Sequence, residues 1–135
     1  MESDIQSSSI SSRSLWAGRI LSGLAALFLT FDGVIHVMRI PPVVQGFAQL
    51  GFPLSVAVPL GIIELVCVAL YLYPRTSVLG AILLTGYLGG AIAAQVRVGA
   101  PLLSTMLFPI YVALFVWGGL YLRDEKLRAM IPLRR

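Results

Sequence analysis

Of the 135 residues, 58% are hydrophobic and 12% charged, and the mean hydropathy is +0.90, whereas a soluble domain carries about 25% charged residues. A chain of about 150 residues buries only some 70% of the surface it exposes unfolded, so this much apolar surface needs lipid around it and a soluble globular fold is excluded. High hydrophobicity excludes a disordered chain, and the net charge of +4 comes from bases scattered between apolar runs, without the basic, aromatic-interleaved face that nucleic acid demands.

Residues 1–14, MESDIQSSSISSRS, are Ser-rich and lack apolar periodicity, and read as a disordered cytosolic tail. Glu2 and Asp4 in this leader, with no AxA-like site before Asp32, argue for a retained anchor rather than a signal peptide. Four apolar segments follow at 20–38, 54–73, 77–96 and 102–122. Each is near the roughly 20 residues that a hydrocarbon layer of about 30 Å requires. Between the first two, PPVVQGFAQLGFP at 41–53 sets Val43, Val44, Phe47 and Leu50 at helical spacing, as a surface connector or a lid. PRT at 74–76 and RVGAP at 97–101 are helix stops, short enough to force antiparallel neighbours. The expected fold is therefore an all-α membrane protein, an up-down four-transmembrane-helix bundle over 15–122. Residues 123–135 read as a basic cytosolic tail, with Leu127, Met130 and Ile131 on one helical stripe suited to an anionic leaflet.

Arg13, Arg19, Arg75, Arg123, Lys126, Arg128, Arg134 and Arg135 flank the side of the termini, and Arg39 and Arg97 alone flank the other. Because basic flanks are retained in the cytosol, both termini are expected there. Trp16, Tyr71, Tyr73, Trp117 and Tyr121 read as the aromatic belt of that boundary. Gly86, Gly90 and Ala94, spaced by four, read as a smooth stripe for close helix packing. Pro59 and Pro109 read as kinks inside spans. The lone Cys67 leaves no dithiol and no thiolate metal cage.

Asp32 and Glu64 fall inside spans, where an isolated ion costs at least about 3 kcal/mol on insertion scales. Asp32, His36 and Arg39 follow at spacings that put them on one helical stripe. At about 1.5 Å per residue, Asp32 lies about 9 Å below Met38 and Glu64 about 15 Å from Leu54, with Tyr87 as deep in the third span. Gln95 and Arg97 end that span on the same side as Arg39. The expectation is a polar wedge open to the non-cytoplasmic face, with Glu64, Tyr87, Gln95, Arg97, Arg39 and Tyr111 as ligand-binding residues. Asp32, Glu64 and His36 are the catalytic candidates if the protein is an enzyme. Those three could supply N/O ligands, but no HxxxH or ExxH spacing accompanies them, so no metal is expected.

The run GIIELVCVALYLYPRTSVLGAILLTGYLGGAIAAQVRVGAPLLSTMLFPIYVALFVWGGLYLRD resembles the DoxX-like membrane proteins, above all in ELVCVALYLYPRT, TGYLGGAIAAQVRVG, LFP and WGGLYLRD. FDGVIHVMRI and FAQLGFP match more weakly, and the likeness spans about residues 15–133. The resemblance implies a four-helix bundle, multi-pass in the bacterial plasma membrane, with relatives linked to thiosulfate:quinone oxidoreduction or to membrane partnerships in redox defence. Its pattern falls on Glu64, Pro74, Arg75, Thr85, Gly86, Tyr87, Gly89, Gly90, Arg97 and Pro109. Gln95 departs from it, since many relatives resemble a THxR version of AQVR, with histidine at that position.

Three functions follow as expectations. The first is a redox-associated membrane subunit binding a quinone or similar lipophile; it needs a membrane or redox partner protein, because no metal, nucleotide, flavin, haem or dithiol motif is visible. The second is an acid/base enzyme, an isomerase or epoxide opener on a lipophilic substrate. The third is a scaffold in which pairs such as Asp32 with Arg97, or Glu64 with Arg39, lock helix register. Beyond the lipid bilayer the partners stay open, a homo-oligomer included.

Overall fold

A computed structural model describes residues 10–130. Among these residues six α-helices run in order: α1 Ser12–Met38, α2 Pro41–Leu50, α3 Ala57–Leu72, α4 Ser77–Arg97, α5 Phe108–Arg123 and α6 Glu125–Met130. With their flanking turns, α1, α3, α4 and α5 are long and apolar enough to cross a membrane, and among the described residues there is no strand. The four expected spans are present, and the protein is a multi-pass integral membrane protein. Around the bundle α1 packs against α3 and α5, and α4 closes the ring between those two.

The first span starts earlier than hydropathy indicates. Ser11 caps α1 by accepting from the Ser14 amide at 3.2 Å, satisfying one of the donors a helix start leaves orphaned. The Ser14 hydroxyl then donates to the Leu122 carbonyl at 2.8 Å, and Arg128 donates to the Ser14 oxygen. Residues 12–14, expected in a disordered tail, are therefore helical and docked on the end of α5; residues 1–9 of that tail lie outside the described residues. The C-terminal segment also folds back. Asp124 caps α6 through the Leu127 amide at 3.0 Å, and Leu127 is buried in the bundle core. Leu127 thus packs inward rather than onto lipid; Met130 is exposed, and Ile131 lies outside the described residues.

At the other end α1 stops where Arg39 takes a left-handed conformation, φ 53°, with its amide on the His36 carbonyl. Pro41 then opens α2, and Gly51 at φ 74° closes it. Glycine meets no steric penalty at such an angle. The segment read as connector or lid is this helix, held down by buried Val43 and Phe47. The prolines expected to kink spans stand where their spans change from a tighter or wider turn to α-helix. A 3-10 turn at Leu54–Val56 precedes α3 and a π-turn at Leu102–Met106 precedes α5, so Pro59 and Pro109 fall in first helical turns. There the missing N–H has no partner to lose.

Small residues bring α1 against its neighbours. A Cβ on Gly18 would stand 2.7 Å from the Gly119 carbonyl, and one on Gly61 2.7 Å from the Gly33 carbonyl. The termini-side core is fixed by a polar chain. The Tyr71 hydroxyl donates to the Val116 carbonyl at 2.7 Å, so its 2.7 Å contact with Ser22 must have Ser22 as donor. Ser22 in turn accepts from Arg123 Nε at 3.1 Å. Tyr71 is completely buried in this chain, not in the boundary belt expected of it; Trp16, Tyr73 and Tyr121 are exposed there. Trp117 is half-buried and donates to Thr85 Oγ1 at 2.7 Å.

Candidate functional site

Between the four helices, on the α2 side, lies a cavity of about 740 Å³. The stripe read as a packing surface forms one of its walls: Gly86, Gly90 and Ala94 line it, and a Cβ on Gly86 or Gly90 would meet nothing within 4 Å. The missing side chains make the void instead of a close helix approach. Phe28 on α1 and Phe108 on α5 meet edge to face, ring centroids 5.2 Å apart. They separate the cavity from a smaller groove of about 190 Å³ between Leu24, Tyr111 and Phe115. Phe47 and Phe52, brought in by α2 and the turn after it, line the end of the cavity.

Asp32, His36, Glu64, Tyr87 and Gln95 all reach this cavity. Glu64 is completely buried, and its Oε2 accepts from the Tyr87 hydroxyl at 3.1 Å. His36 Nδ1 lies 2.6 Å from the Asp32 carbonyl and 3.5 Å from its carboxylate. A carbonyl only accepts, so Nδ1 carries the proton and a neutral ring keeps its lone pair on Nε2. The ring edge packs on Phe47, centroids 5.7 Å apart, so α2 sets its orientation. One donor atom each from Asp32, His36 and Glu64 lie within 4.8 Å of one another.

The other three expected binding residues lie outside the cavity lining. Arg39 is the exposed cap of α1. Arg97 is exposed at the end of α4, its guanidinium 3.3 Å from where a Cβ on Gly51 would stand. Tyr111 donates to the Leu103 carbonyl at 2.8 Å and faces the smaller groove. Neither Asp32 with Arg97 nor Glu64 with Arg39 pairs; among the described residues the one carboxylate oxygen within 4 Å of a basic side chain's nitrogen is that of Asp32, 3.5 Å from His36 Nδ1. Ser104 and Thr105 also line the cavity. They were missed because the sequence does not reveal that their turn folds inward, although two adjacent hydroxyls in an apolar run were a signal.

An apolar pocket with a few convergent polar groups is the common form of a small-molecule site. The fold and site define a class: a four-helix integral membrane protein with a lipid-level cavity, apolar in its walls and polar at one side. The model of the DoxX-like family matches residues 20–119, and the chain belongs to that family. No curated protein and no solved structure matches it.

Proposed function

We propose that the protein holds a small lipophilic molecule with a polar head group, of the quinone type, as a redox-associated subunit of the bacterial plasma membrane. The observation that carries this reading is the cavity itself: about 740 Å³ between the spans, with the Glu64–Tyr87 pair and Gln95 on an otherwise largely apolar lining. Rings and tail would contact Phe28, Phe47 and Phe108, while the Gln95 amide offers a donor to a carbonyl oxygen of the head and the Tyr87 hydroxyl, whose proton is donated to Glu64, an acceptor to a hydroxyl of its reduced form. Entry from lipid would pass the Phe28–Phe108 contact. A partner protein would supply the second redox centre.

Mass spectrometry of small molecules co-purifying with the protein, together with thermal unfolding in detergent, tests this. A quinone analogue at 100 times its dissociation constant should stabilise the protein by about 2.7 kcal/mol. Gly90→Leu, which fills open space, should abolish that stabilisation while leaving the unliganded protein folded; Glu64→Gln should weaken binding by about tenfold, because it loosens the Tyr87 hydroxyl that Glu64 holds. Absence of both a co-purified lipophile and any quinone-dependent stabilisation would sink the proposal.

The proximity of Asp32, His36 and Glu64 favours a second reading, acid/base catalysis on a lipophilic substrate with Asp32 or Glu64 as acid or base and His36 as relay. Under it Glu64→Gln abolishes turnover of the co-purified molecule instead of only weakening its retention.

A further inference from the structure

Asp32 and His36 come from α1 and Glu64 from α3, yet one donor atom of each lies within 4.8 Å of the other two. Two ionised carboxylates this close in surroundings of low dielectric repel strongly. No Arg or Lys among the described residues forms a salt bridge with either of them. Arg39 and Arg97 are exposed; Arg123 is taken by Ser22 and the Tyr71 ring, and Arg128 by the Tyr121 and Leu122 carbonyls.

An independent observation points to what is missing. Glu64 is completely buried, and although its Oε2 is held by Tyr87, its Oε1 has no N–H or O–H donor within reach; the group beside it is the Asp32 carboxylate, which offers no proton when ionised. Buried polar atoms are nearly always paired. This one belongs to a side chain lining the cavity beside a second carboxylate and an imidazole. His36 is already prepared: its Nδ1–H is held by the Asp32 carbonyl, leaving Nε2 as the basic nitrogen. Metal-binding histidines are oriented in this way.

We propose that Asp32, His36 and Glu64 bind one divalent transition-metal ion at the polar side of the cavity. Two carboxylates and a neutral imidazole balance the charge of such an ion, and a mixed N/O set suits Zn²⁺ and its first-row neighbours. Three protein ligands leave at least one coordination position for water or for an oxygen atom of a cavity occupant. The pattern escapes sequence reading because its donors are spread over two helices and lack HxxxH spacing. The site stands independently of which molecule fills the apolar part of the cavity.

The test uses full-length protein purified in detergent without a polyhistidine tag, stripped with chelator and titrated with Co²⁺, then Zn²⁺. One equivalent of Co²⁺ per chain should bind with the intense visible bands of a four- or five-coordinate ion, and Zn²⁺ should displace it and raise the melting temperature. His36→Gln and Asp32→Asn should each lose at least about 100-fold in affinity, beyond what loss of a group behind a ligand costs. Glu64→Gln should do the same. His36 is partly exposed, so His36→Gln decides the matter if the buried variant fails to fold. Failure of the wild type to bind metal overturns the proposal, as does stoichiometric binding that survives in His36→Gln and Asp32→Asn alike.

Discussion

Glu64 and Tyr71 are both completely buried polar residues on α3, two turns apart, and they solve burial differently. Tyr71 is fully engaged: it accepts from Ser22 and donates to Val116, while Arg123 supports Ser22 from behind. Glu64 keeps one oxygen unpartnered beside a cavity. The first arrangement is what a stabilising network looks like and the second what a site looks like, because a buried unpaired acceptor is tolerated where something else completes it. Tyr71→Phe is therefore expected to destabilise the protein by about 1–3 kcal/mol, read by thermal unfolding in detergent, since it orphans the Ser22 hydroxyl. It should leave cavity binding intact. Sequence reading singled out Asp32, His36, Glu64, Tyr87 and Gln95 from the cost of polar groups in lipid. It could not separate Tyr71 from the belt, since a tyrosine near a span end suits both places and helix rotation decides between them.

Among the elements, the glycines divide by what they face. Gly61 sits where α1 and α3 touch, and its missing Cβ admits the Gly33 carbonyl; Gly90 sits on α4 over open space. Gly61→Ala should therefore cost about 1–3 kcal/mol by overpacking. Gly90→Ala should be neutral or should stabilise by up to about 1 kcal/mol, through helix propensity alone. If both variants unfold at the same temperature, the stripe on α4 is packed after all. The short helix α2 also has a defined task, because Phe47 is buried and carries the edge of the His36 ring. Phe47→Ala should cost about 3–5 kcal/mol. NMR of the His36 ring should report its release, with α1, α3, α4 and α5 retained. Helical spacing revealed α2 in the sequence, but not which side chain it would hold.

For the whole molecule, four spans put the two ends of the described chain on one side, and from the excess of basic residues at that end we propose that it faces the cytosol. Cys67 is the only cysteine and is buried, so engineered cysteines report cleanly. Gln45→Cys on α2 should react with a membrane-impermeant maleimide in intact cells, whereas Lys126→Cys on α6 should react only after permeabilisation. The reverse pattern would turn the α2 end, and the cavity with it, toward the cytosol. The termini end is the more tightly joined, with Ser14, Leu122, Arg123 and Arg128 knit across α1, α5 and α6. The α2 end encloses the void. A bundle closed at one end and hollow at the other suits a protein that admits a guest without unfolding.

Membrane residence, the number of spans and the breaks at residues 74–76 and 97–101 were legible in the sequence, because hydropathy is a local sum and those breaks end helices by local chemistry; the early start of α1 at Ser12 was not. Asp32, His36, Glu64, Tyr87 and Gln95 of the cavity lining were legible as polar residues that lipid makes costly, whereas Ser104 and Thr105 were not. Only the tertiary structure decided that Gly86, Gly90 and Ala94 enclose a cavity, that Arg39 and Arg97 stand away from the acids, and that Asp32 and Glu64 from separate helices meet at His36. Those outcomes depend on how each helix is rotated about its axis. Rotation is set by packing against neighbours, which apolar residues on every face of a membrane helix leave undetermined in the sequence.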